Sequence, residues 1–97
     1  MRIDQKDWGV LRDVAKLLKY FVKEHKYRYI DSLANAYNPK VAELILREAL
    51  REAKSAKDQG ADVYLPSEDS LIRFIEMISE DLSVTGIVAA LSLTGGG

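Results

Sequence analysis

The chain has 97 residues, enough for one domain with a single hydrophobic core. Hydrophobic residues make up 47% and charged residues 30% of it, which is typical of a globular protein and excludes an intrinsically disordered one. It contains no cysteine, so disulfide and thiolate chemistry are excluded and a cytoplasmic location is expected. No segment has the pattern of a signal peptide or a membrane span, so we expect no membrane partner.

The formal net charge of -1 conceals a strong asymmetry between the two halves. Residues 1–57 carry 13 Lys and Arg against 8 Asp and Glu, a formal charge of +5. Residues 58–97 carry one Arg against 7 acids, a formal charge of -6. Such a division indicates an electrostatic partner, while the near-neutral total does not indicate a domain that binds DNA tightly by itself.

The first predicted helix, from about Lys6 to His25, has two opposite faces. Apolar residues recur at helical spacing on one side and form the core face. On the other side, five cations fall within about 80° of arc at 100° per residue. We call this set the basic row; it consists of Arg12, Lys16, Lys19, Lys23 and Lys26.

Helical patterns continue along the rest of the chain. A bend is expected at the β-tolerant residues 27–29. A short second helix is expected at about residues 31–37, and a third from Pro39 to about Asp58, capped by Asn38 and closed by Gly60. An extended connector spans residues 61–66. Ser67 then caps a fourth helix, and a fifth covers about residues 84–93. The prediction is an all-α fold, a compact bundle of four to five helices, with a single domain at 1–93 and a flexible glycine tail at 94–97.

The periodicity also predicts which side chains face the core. In the third helix the expected inward residues are Val41, Leu44, Ile45, Ala49, Leu50 and Ala53. In the fourth they are Leu71, Ile72, Phe74, Ile75, Ile78 and Leu82.

The basic row is the strongest functional signal in the sequence. Like charges at i,i+4 on a helix repel one another, so the row indicates an anionic partner that offsets this repulsion. A DNA or RNA backbone is such a partner, and cations bind it without sequence preference. Arg28 extends the row beyond the helix. Tyr20, Tyr27 and Tyr29 lie beside these cations, where they either stack on bases or complete the rim of the core. A solvated lysine face remains the alternative interpretation of the row.

The predicted fourth helix carries a stripe of opposite charge. The stripe consists of Asp69, Arg73, Glu76 and Glu80. Its carboxylates are a full turn apart and Arg73 lies among them, so a metal site is not expected. We interpret the stripe as a subunit contact, which could meet the basic row of another copy.

Nothing in the sequence indicates catalysis. His25 is the single histidine, and helical spacing assigns it to the apolar side of the first helix as a semi-buried structural residue. No nucleophile motif accompanies it. We therefore expect neither enzyme activity nor a cofactor.

Two pairs of segments resemble a known family. Residues 28–36, RYIDSLANA, lead into ALR at 49–51, and residues 65–69, LPSED, lead to VAAL at 88–91. Over about residues 28–93 the chain is similar to the small-subunit proteins of archaeal type I-A CRISPR interference (Cascade-like) complexes. The resemblance implies a non-catalytic helical protein of antiviral defence, several copies of which contact neighbouring subunits and support nucleic-acid strands during R-loop formation. It transfers no site residue to this chain.

The sequence therefore predicts a non-catalytic subunit of a nucleoprotein complex that supports a nucleic-acid backbone through its first helix. The alternative is a helical protein–protein adaptor that self-associates through its basic and acidic stripes. A helix-turn-helix regulator fits less well, because Glu43, Glu48 and Glu52 lie on the helix that would enter the major groove.

Overall fold

The computed structural model describes residues 3–94, which form five α-helices and no β-strand. This confirms the expected all-α bundle. The radius of gyration is 12.3 Å, close to the roughly 12.5 Å expected for a folded chain of this length. The helices are α1 (Gln5–Lys23), α2 (Arg28–Ala34), α3 (Pro39–Asp58), α4 (Glu68–Glu80) and α5 (Val84–Leu93).

The first helix is the centre of the bundle. It packs against each of the other four helices, most extensively against α5. The apolar face that its sequence predicts is the face that is buried, and Leu11, Val14, Leu17 and Phe21 are completely inaccessible to solvent. Because this side is enclosed by the bundle, the opposite side of α1 faces outward.

The end of α1 differs from the expectation. The helix ends at Lys23, and His25 takes a left-handed conformation with φ of 59°. The N–H of His25 donates to the carbonyl of Val22 at 3.0 Å and that of Lys26 to the carbonyl of Phe21 at 2.7 Å, which is a Schellman motif. His25 is therefore exposed, and the prediction of a semi-buried histidine is wrong because the helix stops before reaching it.

Helix α2 begins at Arg28 rather than near Asp31. Tyr29, expected in a bend, lies within this helix and is buried in the core, 6% exposed, as is Ile30, 1% exposed, whose helical spacing was predicted. Helical spacing from Ile30 to Leu33 was visible in the sequence, but the first turn consists of residues that also suit extended backbone. Burial of these side chains in the core favours the helical conformation over the extended one.

Helix α3 has the predicted bounds and caps. The side chain of Asn38 accepts a hydrogen bond from the N–H of Val41 at 2.9 Å, and Gly60 has a φ of 96° in a second Schellman motif. Its buried face is only partly the predicted one. Ala49, Leu50 and Ala53 are buried as expected, but Ala42 and Leu46 are fully buried instead of Leu44, which is 59% exposed. Val41 and Ile45 lie between these extremes.

Helix α4 begins as predicted, since the Ser67 hydroxyl oxygen accepts a hydrogen bond from the N–H of Ser70 at 3.1 Å. Leu71, Phe74 and Ile78 are fully buried, whereas Ile72, expected inside, is 46% exposed. Helix α5 completes the bundle against α1 and α2. The glycine tail, apart from Thr94, lies outside the described residues.

Candidate nucleic-acid interface

Four members of the basic row are presented together on the outer face of α1. Arg12, Lys16 and Lys23 are exposed and Lys19 is partly exposed. With a rise of 1.5 Å per residue, the row from Arg12 to Lys23 is roughly 17 Å long. Among residues 3–94, none of these four cations forms an ion pair. Within the described fold, no carboxylate is therefore paired directly with them.

A groove runs along the middle of the row. It is open to solvent, has a volume of about 270 Å³, and is bordered on one side by α1 and on the other by the connector between α3 and α4. Three cations and one carboxylate contribute to it, so its balance is positive. The lining residues are Lys16, Lys19, Tyr20, Lys23, Asp62, Val63 and Tyr64.

Tyr64 in the connector is the most prominent aromatic residue of this groove. It is 41% exposed, and the ammonium of Lys16 lies 5.2 Å from the centre of its ring, within cation–π range. The Tyr64 hydroxyl donates a hydrogen bond to Oδ1 of Asp13 on α1 at 3.0 Å. Partial desolvation raises the pKa of this hydroxyl above its ordinary value of 10.0, and the bond to Asp13 acts in the same direction, so the phenol stays neutral.

Asp13 joins three parts of the fold beside the groove. Besides the hydroxyl of Tyr64, its carboxylate accepts a hydrogen bond from the Ser70 hydroxyl on α4 at 2.9 Å through Oδ2. Both carboxylate oxygens are therefore used within the protein. The connector is fixed against α1 on this side, and Val63 is buried in the core immediately before Tyr64.

The two remaining predicted cations lie beyond the end of α1. Lys26 is separated from the helical row by the Schellman turn and forms an ion pair with Glu52 of α3 at 3.7 Å. The guanidinium of Arg28 lies 4.8 Å from the centre of the Tyr29 ring. Both line a second open pocket of about 420 Å³ at the α1–α2 junction, which makes them a separate cluster from the four cations on α1.

The tyrosines expected beside the row have different environments. Tyr29 is not available for stacking, because it is buried and donates to Oε1 of Glu52 at 2.9 Å. Desolvation raises the pKa of Tyr29, and the bond to Glu52 raises it further. Tyr20 is partly buried against Phe21, with ring centroids 5.2 Å apart. Tyr27 is 41% exposed and lines the second pocket.

The acidic stripe on α4 is only partly free for a partner. Asp69, Glu76 and Glu80 are exposed, but Arg73 reaches across to α1, where its Nη2 lies 2.9 Å from Oδ2 of Asp7. Arg73 also lies 3.9 Å from Glu76. The hydrogen bonds from Arg73 hold the pKa of Asp7 below its ordinary value of 3.8. Arg73 therefore has an intramolecular role, although its side chain is 38% exposed, and the three members of the stripe that are exposed residues are all acidic.

Two other features, a metal-ligand cluster and a membrane-spanning helix, are not formed by the described residues. Between residues 3 and 94, no three His, Cys, Asp or Glu side chains come together in a way that would hold a metal ion. Over the same range, no helix has both the length and the apolar character needed to cross a membrane.

Sequence reasoning missed Tyr64 and Asp13 as parts of this surface. Tyr64 is separated from Asp13 by 51 positions in the chain, so no local periodicity relates the two. In the sequence, Tyr64 is visible only as an aromatic residue in the connector. That observation does not specify which helix the residue contacts. The proximity is a consequence of how α4 packs on α1.

Comparison of the chain with protein-family models, with curated proteins and with solved structures gives no match.

Proposed function

We propose that this protein is a non-catalytic, cytoplasmic helical subunit of a nucleoprotein complex, and that it supports a nucleic-acid backbone through the four cations on α1. The observation that carries the proposal is that Arg12, Lys16, Lys19 and Lys23 lie along one exposed helix face without ion pairs among residues 3–94. The sequence resemblance to small subunits of archaeal type I-A CRISPR effectors supports a complex of that kind.

The physical role would be positioning and charge neutralisation. Each phosphate that a cation contacts releases condensed counterions, which makes the affinity salt-dependent and independent of sequence. Four cations at intervals of about 4.5 to 6 Å along the helix axis form a track for a strand rather than a pocket for one phosphate. No covalent step is part of this role.

The test is a charge reversal of the three lysines that line the groove. Binding of the purified chain to a fluorescein-labelled oligothymidylate is measured by anisotropy over a series of NaCl concentrations. The triple variant Lys16→Glu, Lys19→Glu, Lys23→Glu should bind about tenfold more weakly or worse. The slope of log K against log[salt] should become shallower by about 2, because each single-strand phosphate contact contributes about 0.7.

A matched control makes the same change in formal charge elsewhere. Lys40, Lys54 and Lys57 are exposed on α3, and none of the ion pairs within residues 3–94 involves them. Their reversal to Glu should leave most of the salt slope in place. Equal losses in the two triple variants would mean that binding follows net charge alone, and would remove α1 as the binding surface.

The adaptor remains the second candidate function because of the exposed face of α4. Ile72 is 46% exposed between the acidic residues Asp69 and Glu76, and an apolar residue among charges is what a protein contact needs beyond weak exposed ion pairs. Light scattering at low and high salt separates the two functions. Salt-sensitive self-association without nucleic acid, together with no binding to the oligonucleotide, would favour the adaptor.

A further inference from the structure

Binding of a nucleic-acid backbone by cations does not by itself explain the position of Tyr64. The groove that contains Lys16, Lys19 and Lys23 also contains this half-exposed ring. A phosphate-binding surface needs cations only, whereas a surface that binds unpaired nucleotides combines cations with aromatic rings on which bases stack.

The ring of Tyr64 is already held in position. Its hydroxyl is bound to Asp13 at 3.0 Å, and the preceding residue, Val63, is buried in the core. Asp13 is itself held by Ser70 at 2.9 Å. The ring therefore loses little further freedom when a ligand packs on it, which favours binding.

We propose that Tyr64 is a base-stacking residue, and that the groove binds single-stranded nucleic acid with one unpaired base on this ring and the adjoining phosphates on Lys16, Lys19 and Lys23. This inference rests on the proposed function. The ammonium of Lys16 lies over the ring, so it must move aside when a base occupies this face. Lys16 is exposed, and its long side chain can turn toward a phosphate instead.

Stacking on Tyr64 makes the groove selective for single strands. In a duplex the bases stack on one another and present only their edges, whereas an unpaired base exposes its π-face to an aromatic side chain. One stacked base contributes a factor of roughly 5 to 150 in affinity, and it does so for any base. DNA and RNA single strands share this chemistry, so both are included in the test.

The competing explanation is that Tyr64 only ties the connector to α1. The two explanations predict different responses to substitution. Tyr64→Phe keeps the ring and loses the hydrogen bond to Asp13, so it should retain the preference for bases. Tyr64→Leu keeps apolar bulk and loses the π-face, so it should lose that preference. Tyr37, which is 79% exposed on another part of the surface and outside the groove, provides the matched control Tyr37→Leu.

The experiment compares oligothymidylate and oligouridylate with an abasic oligonucleotide of the same length and phosphate count. The wild-type chain and Tyr37→Leu should bind the base-containing strands about fivefold or more tightly than the abasic strand. Tyr64→Leu should bind all three alike. Retained preference in Tyr64→Leu would overturn the inference.

A second readout on the wild-type chain is independent of any variant's folding. In a protein with carbon-13-labelled tyrosine rings, the base-containing strands should shift the ring signals of Tyr64 and the abasic strand should not, with the other four tyrosines as internal references. Equal, salt-sensitive binding of all strands without this shift would overturn base stacking and leave the proposed function standing. Absence of binding to every strand would overturn both.

Discussion

Asp7 near the start of α1 and Arg73 in the middle of α4 form a two-point ion pair. Nε of Arg73 donates to Oδ1 of Asp7 at 3.1 Å, and Nη2 donates to Oδ2 at 2.9 Å. The Asp7 side chain is only 8% exposed, so its carboxylate depends on Arg73 for its hydrogen bonds. The pair fixes α4 on α1, and the acidic stripe and the groove are positioned relative to one another by this contact.

We expect Asp7→Asn to lower the melting temperature at neutral pH by several degrees, because it leaves the Arg73 guanidinium without its paired carboxylate. The effect should depend on pH. The pKa of Asp7 is below 3.8 in the folded protein, so the unfolded chain takes up the proton first as the pH falls. The stabilisation is therefore fully present above about pH 4 and is lost as the pH falls through the folded pKa. Thermal melts of the wild type and the variant at a series of pH values measure the difference.

The control for this prediction is Asp62→Asn, since Asp62 is an exposed carboxylate that forms none of the ion pairs within residues 3–94. Its melting temperature should follow that of the wild type throughout the titration. A constant difference between Asp7→Asn and the wild type down to strongly acidic pH would contradict the assignment of the effect to ionised Asp7.

Introducing glycine at one Schellman turn and removing it from the other should change the free energy of unfolding in opposite directions. His25 has a φ of 59° and Gly60 a φ of 96°, a region that costs residues with a Cβ about 1 to 2 kcal/mol. His25→Gly should therefore stabilise the protein by about 1 kcal/mol, and Gly60→Ala should destabilise it by about 1 kcal/mol. Urea unfolding at neutral pH measures both. The imidazole contact of His25 with the Tyr27 hydroxyl, 3.3 Å and exposed, is too weak to reverse the sign.

Glu24→Gly is the matched control for the first turn. Glu24 has a φ of -88°, which any residue adopts, so glycine there gains no relief of strain and costs backbone entropy. If His25→Gly were destabilising by as much as Glu24→Gly, the left-handed turn would not be the feature that limits stability at this helix end.

Leu46 and Leu44, two positions apart on α3, predict very different costs of truncation. Leu46 is fully buried and Leu44 is 59% exposed. Leu46→Ala should destabilise by about 2 to 5 kcal/mol because it leaves a cavity, whereas Leu44→Ala should change the free energy of unfolding by about 0.5 kcal/mol or less. Urea titrations of the two variants make the comparison. A larger cost at Leu44 than at Leu46 would mean that the buried face of α3 is the one that periodicity alone predicted, and equal costs would contradict the difference in burial.

Local sequence signals accounted for most of the secondary structure. Asn38 and Pro39 at the start of α3, Gly60 at its end and Ser67 before α4 act through contacts within a few residues. Such contacts form in the same way whatever surrounds them. The boundaries that were wrong, at His25 and Arg28, lie where a non-glycine residue takes a left-handed turn and where β-tolerant residues enter a helix. At Arg28, the burial of Tyr29 and Ile30 outweighs local preference. At His25, which is exposed, the hydrogen bonds of the Schellman motif end the helix.

The faces of the helices were only partly predictable. In α1, apolar and basic residues separate cleanly, so its buried side and its exposed row follow from the spacing alone. In α3 the apolar residues cover more than one face. The packing of the neighbouring helices buries Ala42 and Leu46 and leaves Leu44 exposed. Whether a surplus apolar residue is inside or outside depends on how closely the next helix approaches.

By itself, then, the order of residues determined that this chain is helical and that its first helix has one apolar and one cationic face. Both are matters of spacing along a single helix. Only the tertiary structure decided which cations remain without a paired carboxylate. It also decided that Tyr64 and Asp13 lie beside them. Those relationships join residues tens of positions apart, and they form when α4 and its connector pack on α1.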